Sequence, residues 1–107
     1  MKAIWLNRAD LLRKLQQVAG EAQIAFPEII EIRLFGSLAR GEQTGLSDAD
    51  ILILTRSQDP NPLERMRPYF FFFSERLGIA VDMIAATPQE SEEMQHLLKD
   101  SLILSKA

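Results

Sequence analysis

Three carboxylates and one Gly-Ser pair are the residues of this chain whose types and spacing can do chemistry. Asp48 and Asp50 stand two apart at the mouth of the apolar run "ADILIL". Residues two apart in an extended chain project to the same face, so the two acids form a fork. Ionised carboxylates held side by side repel each other, and a divalent cation removes that cost. Ligands that are all oxygen suit Mg²⁺ or Mn²⁺. Asp82 sits alone between apolar residues in "AVDMI". If its strand lies beside the fork, three carboxylates surround one or two metal ions, the arrangement used for in-line phosphoryl and nucleotidyl transfer. Gly36-Ser37 closes a second apolar run, "IIEIRLF". Glycine lets a backbone approach a phosphate closely, the turn it opens can offer N–H groups and the Ser37 hydroxyl, and Arg40 one turn later adds a cation. An Asp-x-Asp or a Gly-Ser alone is a weak signal in an acidic chain; the combination across three strands is far less common.

The elements that must position these residues follow from periodicity. Residues 7–25 carry Leu11, Leu12, Leu15, Val18, Ala19 and Ala22 at helical spacing, with Asn7 as N-cap and Pro27 beyond the end. Residues 29–35 and 49–55 read as strands, and the Gly-rich stretch between them as a turn with one helical turn. A second long helix runs from Pro62 to about Leu77 and is capped by Gly78. Residues 79–86 form a third strand. Residues 87–100 form one further helix, with Thr87 as N-cap and Pro88 at its first position, and "SLILS" is a short terminal strand or a frayed helix end. The expected fold is α/β (α+β): a small mixed sheet of three to four strands flanked by helices, in one domain over residues 1–107.

Composition narrows the function. The chain has 107 residues, 12 Lys+Arg against 15 Asp+Glu, and a net charge of -3, which argues against direct nucleic-acid binding over a broad surface. No cysteine occurs, which excludes disulfides, thiolate zinc sites and thiol nucleophiles. No apolar run approaches the length of a membrane span, and the first residues hold no signal-peptide core, so a cytoplasmic protein is expected.

Gly36-Ser37, ten intervening residues, Asp48-Ala49-Asp50 and the later Asp82 resemble the signature of the minimal nucleotidyltransferases of the DNA polymerase β-like superfamily. The resemblance covers nearly the whole chain. It implies that Asp48, Asp50 and Asp82 are catalytic metal ligands for Mg²⁺, two ions in all with Mn²⁺ as a substitute, and that Gly36, Ser37 and Arg40 hold the nucleotide, ATP. Asp82 would also help orient or deprotonate the attacking hydroxyl. Proteins of this kind are typically antitoxins that move AMP from ATP onto a tyrosine of a HEPN-domain ribonuclease toxin. The alternatives are an antitoxin that only masks its toxin, and a transferase that modifies a small molecule such as an aminoglycoside. Too little chain remains for a substrate-binding lobe, which favours a protein acceptor.

The other prominent residues have plainer readings. The run Tyr69 to Phe73 surrounds a helix and divides between core packing and partner contact. Trp5 and Leu6 read as a packing anchor. His96 reads as a solvated surface residue, and Arg65, Arg67 and Arg76 as solvated helix charges, with Arg65 or Arg67 a secondary candidate for touching nucleotide. Met66, Met83 and Met94 are apolar filler. Charge crowding without metal is expected to raise the pKa of Asp82; were Asp82 instead a structural acid, Arg33 would be its partner.

Overall fold

In the computed structural model, which describes residues 7–41 and 48–107, the chain opens where a side chain can satisfy free helix N–H groups. The Asn7 side-chain oxygen accepts from the Asp10 N–H at 2.9 Å and starts α1, Arg8–Ala25. Its Leu11, Leu15, Val18, Ala19 and Ala22 form one buried face. Then come β1 (Ile29–Phe35), α2 (Gly36–Arg40), β2 (Ala49–Thr55), α3 (Pro62–Leu77), β3 (Val81–Ala86), α4 (Pro88–Glu92), α5 (Gln95–Leu98) and β4 (Leu102–Lys106). Trp5 and Leu6, and residues 42–47, lie outside the described residues. Among the described residues no helix is long and apolar enough to cross a membrane.

The four strands make one mixed sheet in the order β3-β2-β1-β4. β1 is antiparallel to β2 and to β4, while β2 and β3 are parallel and are joined through α3. Parallel neighbours need such a crossover, because a tight turn cannot return the chain to the same end. Alternation along the strands separates two faces. Ile32, Leu34, Ile51 and Ile53 are fully buried in one core with the apolar face of α1 and with Tyr69, Phe73 and Leu77 of α3. Glu31, Arg33, Leu52 and Leu54 belong to the opposite face, where α4 and α5 lie over them. The ambiguous "SLILS" is therefore a strand, paired with β1.

The helix expected over residues 87–100 is two short helices. Thr87 and Glu90 form a reciprocal capping box that starts α4. At its end the Glu93 N–H turns to Glu90 O at 3.1 Å and the Met94 N–H to Ser91 O at 3.0 Å, bonds to the third residue back instead of the fourth. That tightening breaks the helix and lets α5 run separately across the sheet.

Arg65 is also not the solvated charge its surroundings suggest. It is 4% exposed, and its guanidinium donates to Asp59 O at 3.0 Å, Ala85 O at 2.9 Å and Glu90 Oε1 at 2.7 Å. It ties α3 to the end of β3 and to the α4 cap, and all of its contacts are with the protein's own groups at that end of β3. Arg65→Ala is expected to cost about 2 to 3 kcal/mol, because Ala85 O loses a buried donor. Arg67→Ala, which loses only an exposed pair with Glu64, should fall within about 0.5 kcal/mol of wild type. Urea melts of both variants check this. The aromatic run divides as its length requires: Tyr69 and Phe73 are core, and Phe71 is 53% exposed.

Candidate active site

The sheet register brings the chemical residues together. β1 pairs Phe35 with Asp50, and the parallel β2–β3 ladder pairs Asp50 with Asp82, so Gly36, Asp50 and Asp82 stand at the same end of three neighbouring strands. Asp48 lies one residue before β2, is exposed, and acts on Asp50 through its charge. Gly36 has φ 76°, the left-handed region, and a Cβ built on it would lie 2.1 Å from Asp50 Oδ2 and 2.9 Å from Asp50 Cγ. The Asp50 carboxyl therefore rests directly on the glycine backbone. Only glycine combines that torsion with that approach. α2 is held from behind by Arg8, which donates to Leu38 O and Ala39 O, both at 2.9 Å. The sequence reading missed this anchor, since nothing at position 8 announces a partner thirty residues on.

Electrostatics single out Asp50. Burial raises its pKa above 3.8, followed by the negative charges of Asp82 and Asp48, with Arg40 opposing them and a hydrogen bond to the Asp82 side chain adding to the rise. Burial falls on Asp50 because β2 is an inner strand, while Asp82, on edge strand β3, is exposed. Arg33 is not a partner of Asp82 either, since its guanidinium meets Glu31 at 3.0 Å and Ser101 Oγ at 2.9 Å.

The raised pKa carries a stability consequence. A folded state that holds its proton more tightly than the unfolded chain loses relative stability as pH climbs from the unfolded value of about 3.9 through the folded one, and the cost is complete above it. Asp82→Asn removes one of the charges responsible. In EDTA at neutral pH this variant should melt at the wild-type temperature or higher, and the difference should vanish at a pH below 3.8. A clearly lower melting temperature at neutral pH would make Asp82 a structural acid.

Among the described residues no three His, Cys, Asp or Glu side chains converge closely enough to hold a metal ion by themselves. The donors present still suit one: the Asp50–Asp82 pair is all oxygen and carries more negative charge than it can comfortably ionise.

Beside Asp50 is a cleft of about 230 Å³ between Phe35, Gly36, Arg40 and Asp50 on one wall and His96, Leu97 and Asp100 on the other. His96 is exposed, as expected, but it faces the site. No spacing in the sequence signals that position, which arises from the break between α4 and α5.

The family model described as a nucleotidyltransferase domain matches residues 15–104. MJ0128 of Methanocaldococcus jannaschii, provisionally named a protein adenylyltransferase, is 32% identical over 98 residues that span 88% of this chain and 90% of that protein. MJ1305 of the same organism, named likewise, is 30% identical over 84 residues, 76% of this chain, and the match spans about half of that relative, 53%. The structure of a provisionally assigned nucleotidyltransferase from Sulfolobus solfataricus superposes with a TM-score of 0.68 at 27% identity, covering 92% of this chain and 83% of that one. A toxin–antitoxin crystal structure with AMP-PNP superposes with a TM-score of 0.64 at 22% identity, covering 86% and 73%, and shares the fold.

Proposed function

Because this chain belongs to the nucleotidyltransferase family, we propose that its carboxylate cleft moves AMP from ATP to a hydroxyl of a partner protein, and that the partner is the toxin of a toxin–antitoxin pair. The observation that carries the reading is the contact of the Asp50 carboxyl with the Gly36 backbone, with Asp82 in register beside it. A polyphosphate on the Gly36-Ser37 turn would then lie against the acids. The relatives named as protein adenylyltransferases support a protein acceptor, and the fold shared with a toxin–antitoxin complex that holds AMP-PNP supports both the nucleotide and the kind of partner.

In this mechanism the acceptor oxygen, a tyrosine hydroxyl of a HEPN-domain ribonuclease, attacks the α-phosphorus in line. The new P–O bond forms as the bond to the β-phosphate oxygen breaks, and pyrophosphate leaves. Gly36, Ser37 and Arg40 orient the polyphosphate. Asp82, exposed on the edge strand, would orient the incoming hydroxyl and receive its proton. Asp48, Asp50 and Asp82 would hold Mg²⁺, which supplies neutralisation of the phosphates and of the charge developing on the leaving oxygen. Since the acids do not close a metal cage on their own, Mg²⁺ should bind weakly to the free protein and much more tightly with ATP, whose phosphates complete the coordination. Calorimetry reads this directly. ATP binding of equal strength with and without divalent metal would contradict it.

The decisive experiment is incubation of the chain with ATP, Mg²⁺ and the cognate toxin, followed by intact mass of both proteins. The toxin should gain AMP. Full neutralisation of the toxin with no mass change would replace chemistry by masking.

A further inference from the structure

On the same sheet face as the carboxylates, but on the other side of α5, lies a larger cavity of about 340 Å³. That volume falls within the range of small-molecule sites. Its floor is apolar, with Leu52 and Leu54 from β2 and Leu98 from α5, and its charged groups are Glu31, Arg33 and Lys99. The hydrogen-bonding capacity of these groups is spent unevenly. Arg33 uses one terminal nitrogen on Glu31 and the other on Ser101 Oγ, while its Nε–H is buried and without a partner among the described residues. The Lys99 ammonium likewise makes no ion pair among the described residues. Two cations against one carboxylate leave a single positive charge around the cavity. An unsatisfied buried donor is rare enough in folded proteins to need an explanation, and an absent acceptor is the simplest one.

We propose that this cavity binds a small monocarboxylate, its oxygens taken by Arg33 Nε and Lys99 and its short apolar body laid on Leu52, Leu54 and Leu98. One negative charge matches the residual positive charge, and the leucines favour an ion that carries hydrocarbon over a bare inorganic one. Because the Arg33 Nε–H is buried, the guanidinium must turn to meet the ligand, exchanging its bond to Ser101 Oγ for one to the carboxylate. The position has a consequence for the neighbouring cleft. α5 and the residues after it give Leu98 and Lys99 to this cavity and His96, Leu97 and Asp100 to the carboxylate cleft, so a ligand here holds the wall of the other site. The proposal does not depend on the nucleotide reading.

Titration of the full chain with butyrate, acetate and inorganic phosphate, followed by amide NMR shifts, tests it. Butyrate should give saturable shifts at Glu31, Arg33, Leu98 and Lys99, acetate should bind several-fold more weakly, and phosphate more weakly again. Lys99→Gln, at an exposed position where folding is not at risk, should raise the butyrate Kd by roughly tenfold, the loss of one charge-assisted hydrogen bond. Arg67→Gln, a surface charge on α3, should leave it unchanged. Shifts that are unsaturable, or equal in Lys99→Gln and Arg67→Gln, would reduce the effect to general screening and overturn the site. Phosphate binding as tightly as butyrate would overturn the carboxylate assignment.

Discussion

Asp50→Asn should lower nucleotidyl transfer by roughly a thousandfold, about 4 kcal/mol of transition-state free energy, while leaving the complex with the partner intact. Of the three acids, Asp50 alone joins the other two elements of the site: its carboxyl lies against the Gly36 backbone and it stands in register with Asp82 on the neighbouring strand. Asparagine keeps the shape and the packing on the glycine but removes the charge. The fold should tolerate the exchange, since at neutral pH the wild-type carboxylate is the group that burial and its neighbours work against. Docking should be unaffected for a different reason, because a polar group inside a small cleft contributes little of the area a protein partner needs. Pull-down with the toxin and intact mass of the toxin separate the two quantities. If Asp50→Asn still transfers AMP within tenfold of wild type, the carboxylate pair is not the catalytic centre. If it transfers nothing yet neutralises the toxin fully at equal expression, the chemistry is dispensable and binding carries the function.

The strands around this site were legible because local signals agree with the final structure. Residues 29–35 end where Gly36 removes the side chain, and residues 49–55 begin directly after Asp48, an acid that cannot be buried alone; both bounds match β1 and β2. Adjacency of the second and third strands was readable as a condition, since a lone acid at Asp82 made sense only beside the fork, and the register places it opposite Asp50. What was not legible depends on which strand lies outside. Asp50 and Asp82 look alike in sequence, each flanked by apolar residues, yet only the sheet order puts one on an inner strand and the other on an edge. That decides which acid is desolvated. Arg65 was misread for a similar reason: on the helix it resembles Arg67, and what buries it is a carbonyl at Ala85 and a carboxylate at Glu90, both more than a helix turn away in sequence. The α4–α5 break was hidden because Met94, Leu97 and Leu98 continue a helical spacing through it. With that break went the placement of His96.

Gly36→Ala provides the sharpest separation between fold and chemistry when it is compared with Gly41→Ala. Both glycines are left-handed, at φ 76° and 71°, so alanine at either position carries about 1 to 2 kcal/mol of backbone strain. Their surroundings differ. A Cβ at Gly41 meets nothing closer than the Arg8 guanidinium carbon at 3.7 Å, an ordinary contact. At Gly36 the new methyl would overlap Asp50 Oδ2 at 2.1 Å, and the carboxyl must swing away because the strand behind it cannot. Asp50 is then displaced by an ångström or more from both Asp82 and any phosphate on the turn. Misplacement on that scale costs about a hundredfold in rate even when every residue is retained. Melting temperatures of the two variants should therefore fall by comparable amounts. Transfer should drop by at least about a hundredfold in Gly36→Ala, whereas in Gly41→Ala, measured well below its melting temperature, it should stay within a few-fold of wild type. Equal activities in the two variants would mean that the approach of Asp50 to the glycine backbone is a packing detail, and the phosphate-binding role given to the Gly36-Ser37 turn would fall with it. Loss in Gly36→Ala that is recovered by Gly36→Ala combined with Asp50→Glu, whose longer side chain can bypass the methyl, would show that the glycine serves the carboxylate's position rather than the turn itself.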